Sequence, residues 1–202
     1  MSSPVALDAF INLYGVDKFN RLMEVCAPLS QDVFVSRLYR EIEEMVEALE
    51  SARKERKDDS EDRLSSEIVL NLRARGYSAF KDPTQGGHVD IYVRAKDQDK
   101  FTWYAEAKIW NGPVYVEGGL GQLLQRYATG RHPDLGLFIY FKDRGIVNKL
   151  RDWSAHLELN RLEGLDKIYP VNDFCFDSTH FHASGADIKI RHFGVNVFWR
   201  PE

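Results

Sequence analysis

The sequence predicts a mixed α/β protein, a mixed sheet flanked by helices, with a helical region before it. Three observations carry this expectation. From residue 61 onward, helical and strand patterns follow in the order helix, strands, helix, strand, helix, strands, as in layered α/β architectures. LGLFIYF (135–141) is short and continuously apolar, the pattern of a strand covered on both faces. Residues 5–57, in contrast, carry only helical periodicity.

Each element has its own warrant. Leu7, Phe10, Ile11 and Tyr14 recur at helical spacing, and Gly15 stops the run. Asp17 then offers an N-cap to a second helix holding Phe19, Leu22, Met23 and Cys26, which Pro28 ends. Ser30 caps a longer third helix whose apolar stripe is Val33, Leu38, Ile42, Met45, Val46 and Leu49. ESARKERKDDS (50–60) is a charge-dense helix end or linker with a solvated face. A boundary is therefore expected between a helical region, residues 1–57, and an α/β domain, residues 58–202. The helical region is expected to pack on that domain, and it offers a docking place for a regulatory protein partner.

EDRLSSEIVLNLRARG opens the α/β domain as an amphipathic helix, with Leu64, Ile68 and Leu72 inward and Gly76 at its stop. GHVDIYVRA and FTWYAEAKIW read as a strand pair around the polar turn KDQDK. GGLGQLLQRYATGR reads as a helix after a glycine-rich entry. Residues 144–162 form another, with Ile146, Leu150, Trp153, Leu157 and Leu162 as its apolar positions. ADIKIRHF and VNVFW read as two strands separated at Gly194. Ser178, Thr179 and His180 read as a turn, and Cys175, between two phenylalanines, as a small core residue.

Composition narrows the function classes. With 44% hydrophobic residues in 202, the chain can bury a core, so wholesale disorder is excluded. Two cysteines are too few for a disulfide framework or a cysteine-rich zinc site. No run approaches a membrane span, and the N-terminus lacks the features of a secretory signal, so a cytoplasmic protein is expected. GGLGQ lacks the Lys-Ser/Thr of a phosphate-binding loop. His180, His182 and His192 have a spacing that a transition metal tolerates, but packing is the simpler expectation. The net charge of −4 argues against a nucleic-acid partner until it is divided along the chain. Residues 41–67 carry five basic against eleven acidic side chains, whereas residues 69–131 carry nine against six. The acidity belongs to one helical stretch, and the middle of the chain is positive.

The chemistry concentrates on the strand pair. If its turn is centred on Gln98, Asp90 and Glu106 stand directly opposite each other. Opposed residues share a face, and Lys108, two residues further, projects from that face too. Strands buried on both sides rarely carry Glu-x-Lys between alanines and aromatics. Two close carboxylates repel unless a cation joins them, and Mg²⁺, which prefers oxygen ligands, suits the place. A buried Glu106–Lys108 ion pair with Asp90 at a turn is the plainer alternative.

The order of flanking motifs resembles the PD-(D/E)xK, restriction-endonuclease-like nuclease superfamily. The resemblance covers residues 61–127, through Glu61 in EDRLSSEIVLNL, Asp90 in GGHVDI, Glu106 and Lys108 in YAEAKIW, and Gln122 and Tyr127 in GQLLQRY. Val89 replaces the proline usual before the Asp. Glu67 is an alternative to Glu61, and Gln125 to Gln122. The resemblance implies a restriction-endonuclease-like core and Mg²⁺-dependent (or Mn²⁺-dependent) hydrolysis of phosphodiester bonds. Asp90, Glu106 and the Ala107 carbonyl would hold the metal. Lys108 would orient the attacking water, Glu61 would serve a second metal or its water shell, and Gln122 would position a phosphate. Tyr127 would pack or order its helix. Arg73, Arg75, Lys81, Arg126 and Arg131 would meet substrate phosphates, beside a loop from Asp82 to His88. DNA is the expected substrate, RNA the alternative, and restriction or phage defence the expected setting. A homodimer would suit cutting both strands. The rival reading is a degenerate nuclease fold that only binds nucleic acid or protein.

Overall fold

The computed structural model describes residues 7–81, 89–96 and 98–200. Helices α1 (Leu7–Tyr14), α2 (Val16–Cys26), α3 (Gln31–Ser51), the short α4 (Arg53–Arg56) and α5 (Glu61–Ala74) come first. Strands β1 (Ser78–Phe80), β2 (Ile91–Ala95) and β3 (Gln98–Ile109) follow. Then come α6 (Pro113–Gln122), a π-helical turn (Leu123–Tyr127), β4 (Asp134–Phe141) and α7 (Ile146–Asn160). A 3-10 turn (Leu162–Gly164) leads to β5 (Leu165–Asn172), β6 (Cys175–Phe181) and β7 (Asp187–Asn196).

The seven strands form one mixed sheet in the order β1-β2-β3-β4-β7-β6-β5. The β3–β4 and β4–β7 pairs are parallel and the others antiparallel. Alternation along the strands sorts side chains to two covered faces. On one, Phe34, Leu38, Ile42 and Met45 of α3 and Leu64, Ile68 and Leu72 of α5 pack against Trp103, Phe138, Tyr140 and Val195. On the other, Val116 and Leu120 of α6 and Leu150, Trp153 and Leu157 of α7 pack against Leu137, Ile139, Phe141 and Ile190. The expected boundary falls between α4 and α5, yet α3 shares its core with the sheet. Buried Glu41 reinforces this by gathering Arg21 of α2, Arg37 of α3 and Arg75 at the end of α5.

The structure corrects the reading of the C-terminal third. Residues 178–180 are not a turn but the middle of β6, and β5 and β6 form a hairpin that the sequence pattern does not announce. β5 is almost wholly exposed, so it lacks apolar alternation. Gly194 does not separate two strands but lies within β7. A Cβ there would sit 2.5 Å from Leu150 Cδ1 and 3.0 Å from the Phe174 carbonyl oxygen, so the glycine serves close packing. Likewise α6 starts at Pro113 and takes the glycines into its body.

Polar residues survive inside β6 because a hydrogen-bond chain satisfies them. Trp153 Nε1 donates to His192 Nδ1 at 3.1 Å. Indole only donates, so the His192 proton lies on Nε2, 2.7 Å from Ser178 Oγ. The serine hydroxyl then donates to His180 Nε2 at 2.8 Å, and His180 Nδ1 donates to the Glu163 carbonyl at 3.1 Å. Both imidazoles are neutral in this arrangement, and burial holds both below their ordinary value. Stability from such groups is complete above about pH 6.5 and is lost as pH falls below it, at up to about 1.4 kcal/mol per pH unit for each histidine. The denaturation midpoint should therefore drop between pH 7 and pH 5, and less steeply in His192→Gln. Equal pH dependence in the two proteins would contradict the neutral chain.

Candidate functional site

Strand β2 sets the register of the site. Ile91 pairs with Ala105, Tyr92 with Tyr104, Val93 with Trp103 and Arg94 with Thr102. Continued by one residue, that register puts Asp90 opposite Glu106, as the sequence reading expects. The turn is less symmetric than expected, because the register shifts after Arg94 and Ala95 pairs with Gln98. Beyond Ala105, β3 continues to Ile109 while β2 has ended, and among the described residues no strand pairs with that edge. Backbone N–H groups left there need acceptors. Asp90 Oδ2 accepts from the Ala107 N–H at 2.9 Å, and Glu61 Oε2 accepts from the Ile109 N–H at 2.8 Å. Glu61 reaches the strand from the first turn of α5, whose N-cap Ser60 accepts from the Arg63 N–H. The open edge of β3 thus collects two carboxylates as strand caps.

Glu106 and Lys108 project from β3 toward α6. Glu106 is 3% exposed, and Lys108 Nζ donates to its Oε1 at 2.7 Å. Lys108 Nζ also lies 3.9 Å from Glu61 Oε1, so one ammonium spans two carboxylates. Burial, then the Asp90 charge, pushes the Glu106 carboxyl up to about 7, against the pull of Lys108. Burial opposes the charge on Lys108, but the Glu106 bond and the surrounding carboxylates more than offset it and raise its pKa. Glu61 is raised as well, by burial, although the Ile109 N–H and Lys108 pull the other way. Glu106 Oε2 is buried without a hydrogen-bond partner. The cluster therefore holds more buried negative charge than its single lysine neutralises.

Helix α6 makes room for that lysine. A Cβ on Gly119 would stand 3.0 Å from Lys108 Cγ and 3.1 Å from its Cε. The sequence reading missed this role, although the small-residue run GGLG was its available signal. A π-helical turn follows α6. Five residues span about 1.4 turns of an α-helix, but the 2.9 Å bond from the Ala128 N–H to the Leu123 carbonyl closes a wider turn. Tyr127 is buried, and its hydroxyl is raised by burial and then by the Glu106 charge.

The other sequence-predicted residues are dispersed. Glu67 bonds Arg56 at 2.6 Å, which leaves Glu61 as the acid of α5 at the site. Gln122 is half-buried with its Oε1 buried and unpartnered, whereas Gln125 is exposed and donates to Glu163 Oε1. Lys81 pairs with Asp62, next to Glu61. Arg73 donates to the Ala79 carbonyl and lies over the Phe80 ring. Arg75 belongs to the Glu41–Glu44 cluster instead. Arg126 and Arg131 are exposed. The expected loop from Asp82 to His88 lies outside the described residues.

No protein-family pattern, curated protein or solved structure matches the chain. Among the described residues, no group of three His, Cys, Asp or Glu side chains is arranged to hold a metal, and no helix is long and apolar enough to cross a membrane. The donor set expected from the sequence is smaller: two carboxylates and the Ala107 carbonyl. These are hard oxygen donors, and the unpartnered Glu106 Oε2 is an acceptor that a divalent cation suits.

The raised Glu106 has a measurable consequence. Its folded value, about 7, exceeds the ordinary value of about 4.3. Stability from Glu106 is thus present below about pH 4.3 and lost as pH rises through 7. Without metal, Glu106→Gln should be more stable than wild type at pH 8, and the two should converge near pH 4. Equal stability at pH 8 would contradict the crowded carboxylate.

Proposed function

We propose that the chain is a divalent-metal-dependent nuclease that hydrolyses phosphodiester bonds, with DNA as substrate and Mg²⁺ or Mn²⁺ as cofactor. The observation carrying this reading is the convergence of Asp90, Glu106, Lys108 and Glu61 at one open strand edge. Asp90 and Glu106, with the Ala107 carbonyl, are the residues that would hold the metal. Once bound, the cation would supply Lewis-acid polarisation of the phosphate and offset its developing charge.

The protein's own groups supply the rest. Asp90 is fixed by its bond to the Ala107 N–H, so its carboxylate needs little reordering before it acts. Lys108 Nζ donates to Glu106 Oε1, and its ammonium is the group that would orient the attacking water and meet the non-bridging phosphate oxygens. Glu61, held by the Ile109 N–H, has its other oxygen 3.9 Å from Lys108 Nζ and would help hold that ammonium at the site. A positioning role for Gln122 follows only from the resemblance.

A role in restriction or phage defence follows only from the resemblance, as do a homodimer and control by a partner docking on the N-terminal helices. The second reading, a non-catalytic binding module on the same fold, draws on the ion pair that already occupies Glu106 and on the lack, among the described residues, of a three-ligand group.

Plasmid DNA and single-stranded oligonucleotides incubated with Mg²⁺ separate the two. Cleavage is expected, EDTA should stop it, and Asp90→Asn and Lys108→Ala should each slow it at least 100-fold while keeping the fold. Cleavage that persists in both variants would reject the site. No cleavage of DNA or RNA by the folded wild type would favour the binding module.

A further inference from the structure

Helix α1 is apolar without being buried. Its sequence, LDAFINLY, has one charge, Asp8, and none of its residues is buried. It packs chiefly on α2. The Phe10 ring mediates that contact, 6.2 Å from Phe19 and 4.9 Å from Tyr14. Eight residues are too few for a helix to persist on local propensity alone. Helix α2 is held more firmly, but on one side. Arg21 meets Glu41 and Glu44 of α3, and Val25 enters the core that α3 shares with the sheet. Val16 and Met23, about two turns apart, lie on its opposite side.

The surface left over is large for a chain on its own. Leu13 is 73% exposed, and Leu7, Tyr14, Val16, Leu22 and Met23 are each about half exposed. Together these six side chains offer roughly 500 Å² of apolar area, at the upper end of what a monomer leaves in one patch. A standard interface buries about 800 Å² on each partner, somewhat more than half of it apolar. The two helices thus carry about one partner's apolar share.

Charge selects the occupant. Glu24 is paired with Arg37, and Arg21 with Glu41 and Glu44. Of the charges on the two helices, Asp8, Asp17 and Lys18 remain, and all three are exposed. An anionic lipid or nucleic-acid surface would call for several cations here, and there is one. A second copy calls for no excess of either sign. Contacts across a two-fold axis are reciprocal, so Lys18 of each protomer can face an acid of the other.

We infer that α1 and α2 form a dimerisation face, on which a second copy of this chain packs its own α1 and α2 about a two-fold axis. The inference does not rest on the nuclease reading.

Sedimentation equilibrium of the full chain, from about 1 to about 100 μM, reads the association directly. Wild type should pass from monomer to dimer within that range. Leu13→Glu and Met23→Glu place a charge on the face and should each weaken the dimer at least tenfold. Both positions are exposed, so the fold should be kept, which circular dichroism checks. Leu159→Glu, at a position 84% exposed on α7, is the control and should dimerise like wild type. A wild type that stays monomeric throughout would overturn the inference, whether or not a variant folds, and would leave the face to a partner of different chemistry. So would a dimer that folded Leu13→Glu and Met23→Glu leave intact, or one that Leu159→Glu weakens equally. Open-ended association beyond the dimer would overturn the two-fold arrangement.

Discussion

An unfinished strand edge organises this molecule's candidate site. Strand β3 runs four residues past the last residue of its antiparallel pairing with β2, and its N–H groups at Ala107 and Ile109, which β2 does not reach, have to be met. Asp90 and Glu61, from the head of β2 and the first turn of α5, meet them. Backbone hydrogen bonding thereby does what charge alone would resist: it holds two carboxylates beside a third, Glu106, in a poorly solvated place. The raised Glu106 and the bridging position of Lys108 follow from that crowding. A site strained in this way favours protonation, a cation, or both.

The remaining layers serve this edge. Helix α5 delivers Glu61 because its apolar stripe docks on one face of the sheet. Helix α6 approaches β3 closely enough to lie on the lysine because Gly119 has no side chain. On the opposite half of the sheet, α7, β7, β6 and the 3-10 turn before β5 are tied together by a neutral hydrogen-bond chain from Trp153 to Glu163. That chain explains the histidines better than a metal does, since His180 and His192 each use both ring nitrogens and His182 is bonded to Ser184 instead.

Much of this was legible in the sequence, for identifiable reasons. A turn centred on Gln98 puts Asp90 opposite Glu106, and the pairs from Ile91 to Arg94 keep that register, although the closing pair of Ala95 with Gln98 is shifted by an irregularity that no sequence pattern announces. The helical stripes of α3, α5 and α7 were equally plain. The β5–β6 hairpin was hidden because β5 is exposed and β6 buries Ser178 and His180, polar letters whose partners lie far along the chain. Gly194 and the glycines of α6 looked like punctuation, whereas at Gly119 and Gly194 tertiary contact demands them. Backbone capping by Asp90 and Glu61 was also invisible, since no sequence pattern states where β2 stops relative to β3. Basic residues were the least legible group: Arg75 is taken up by Glu41 and Glu44, a pairing across two helices.

We propose that the crowded carboxylates at the open edge of β3 are a site for a divalent cation. Crystals of the protein equilibrated with Mn²⁺ test it directly through anomalous scattering. The account predicts a peak coordinated by both Asp90 and Glu106, with Lys108 Nζ displaced from Glu106 Oε1. A saturated crystal with no peak there, and with Lys108 still bonded to Glu106, would contradict it.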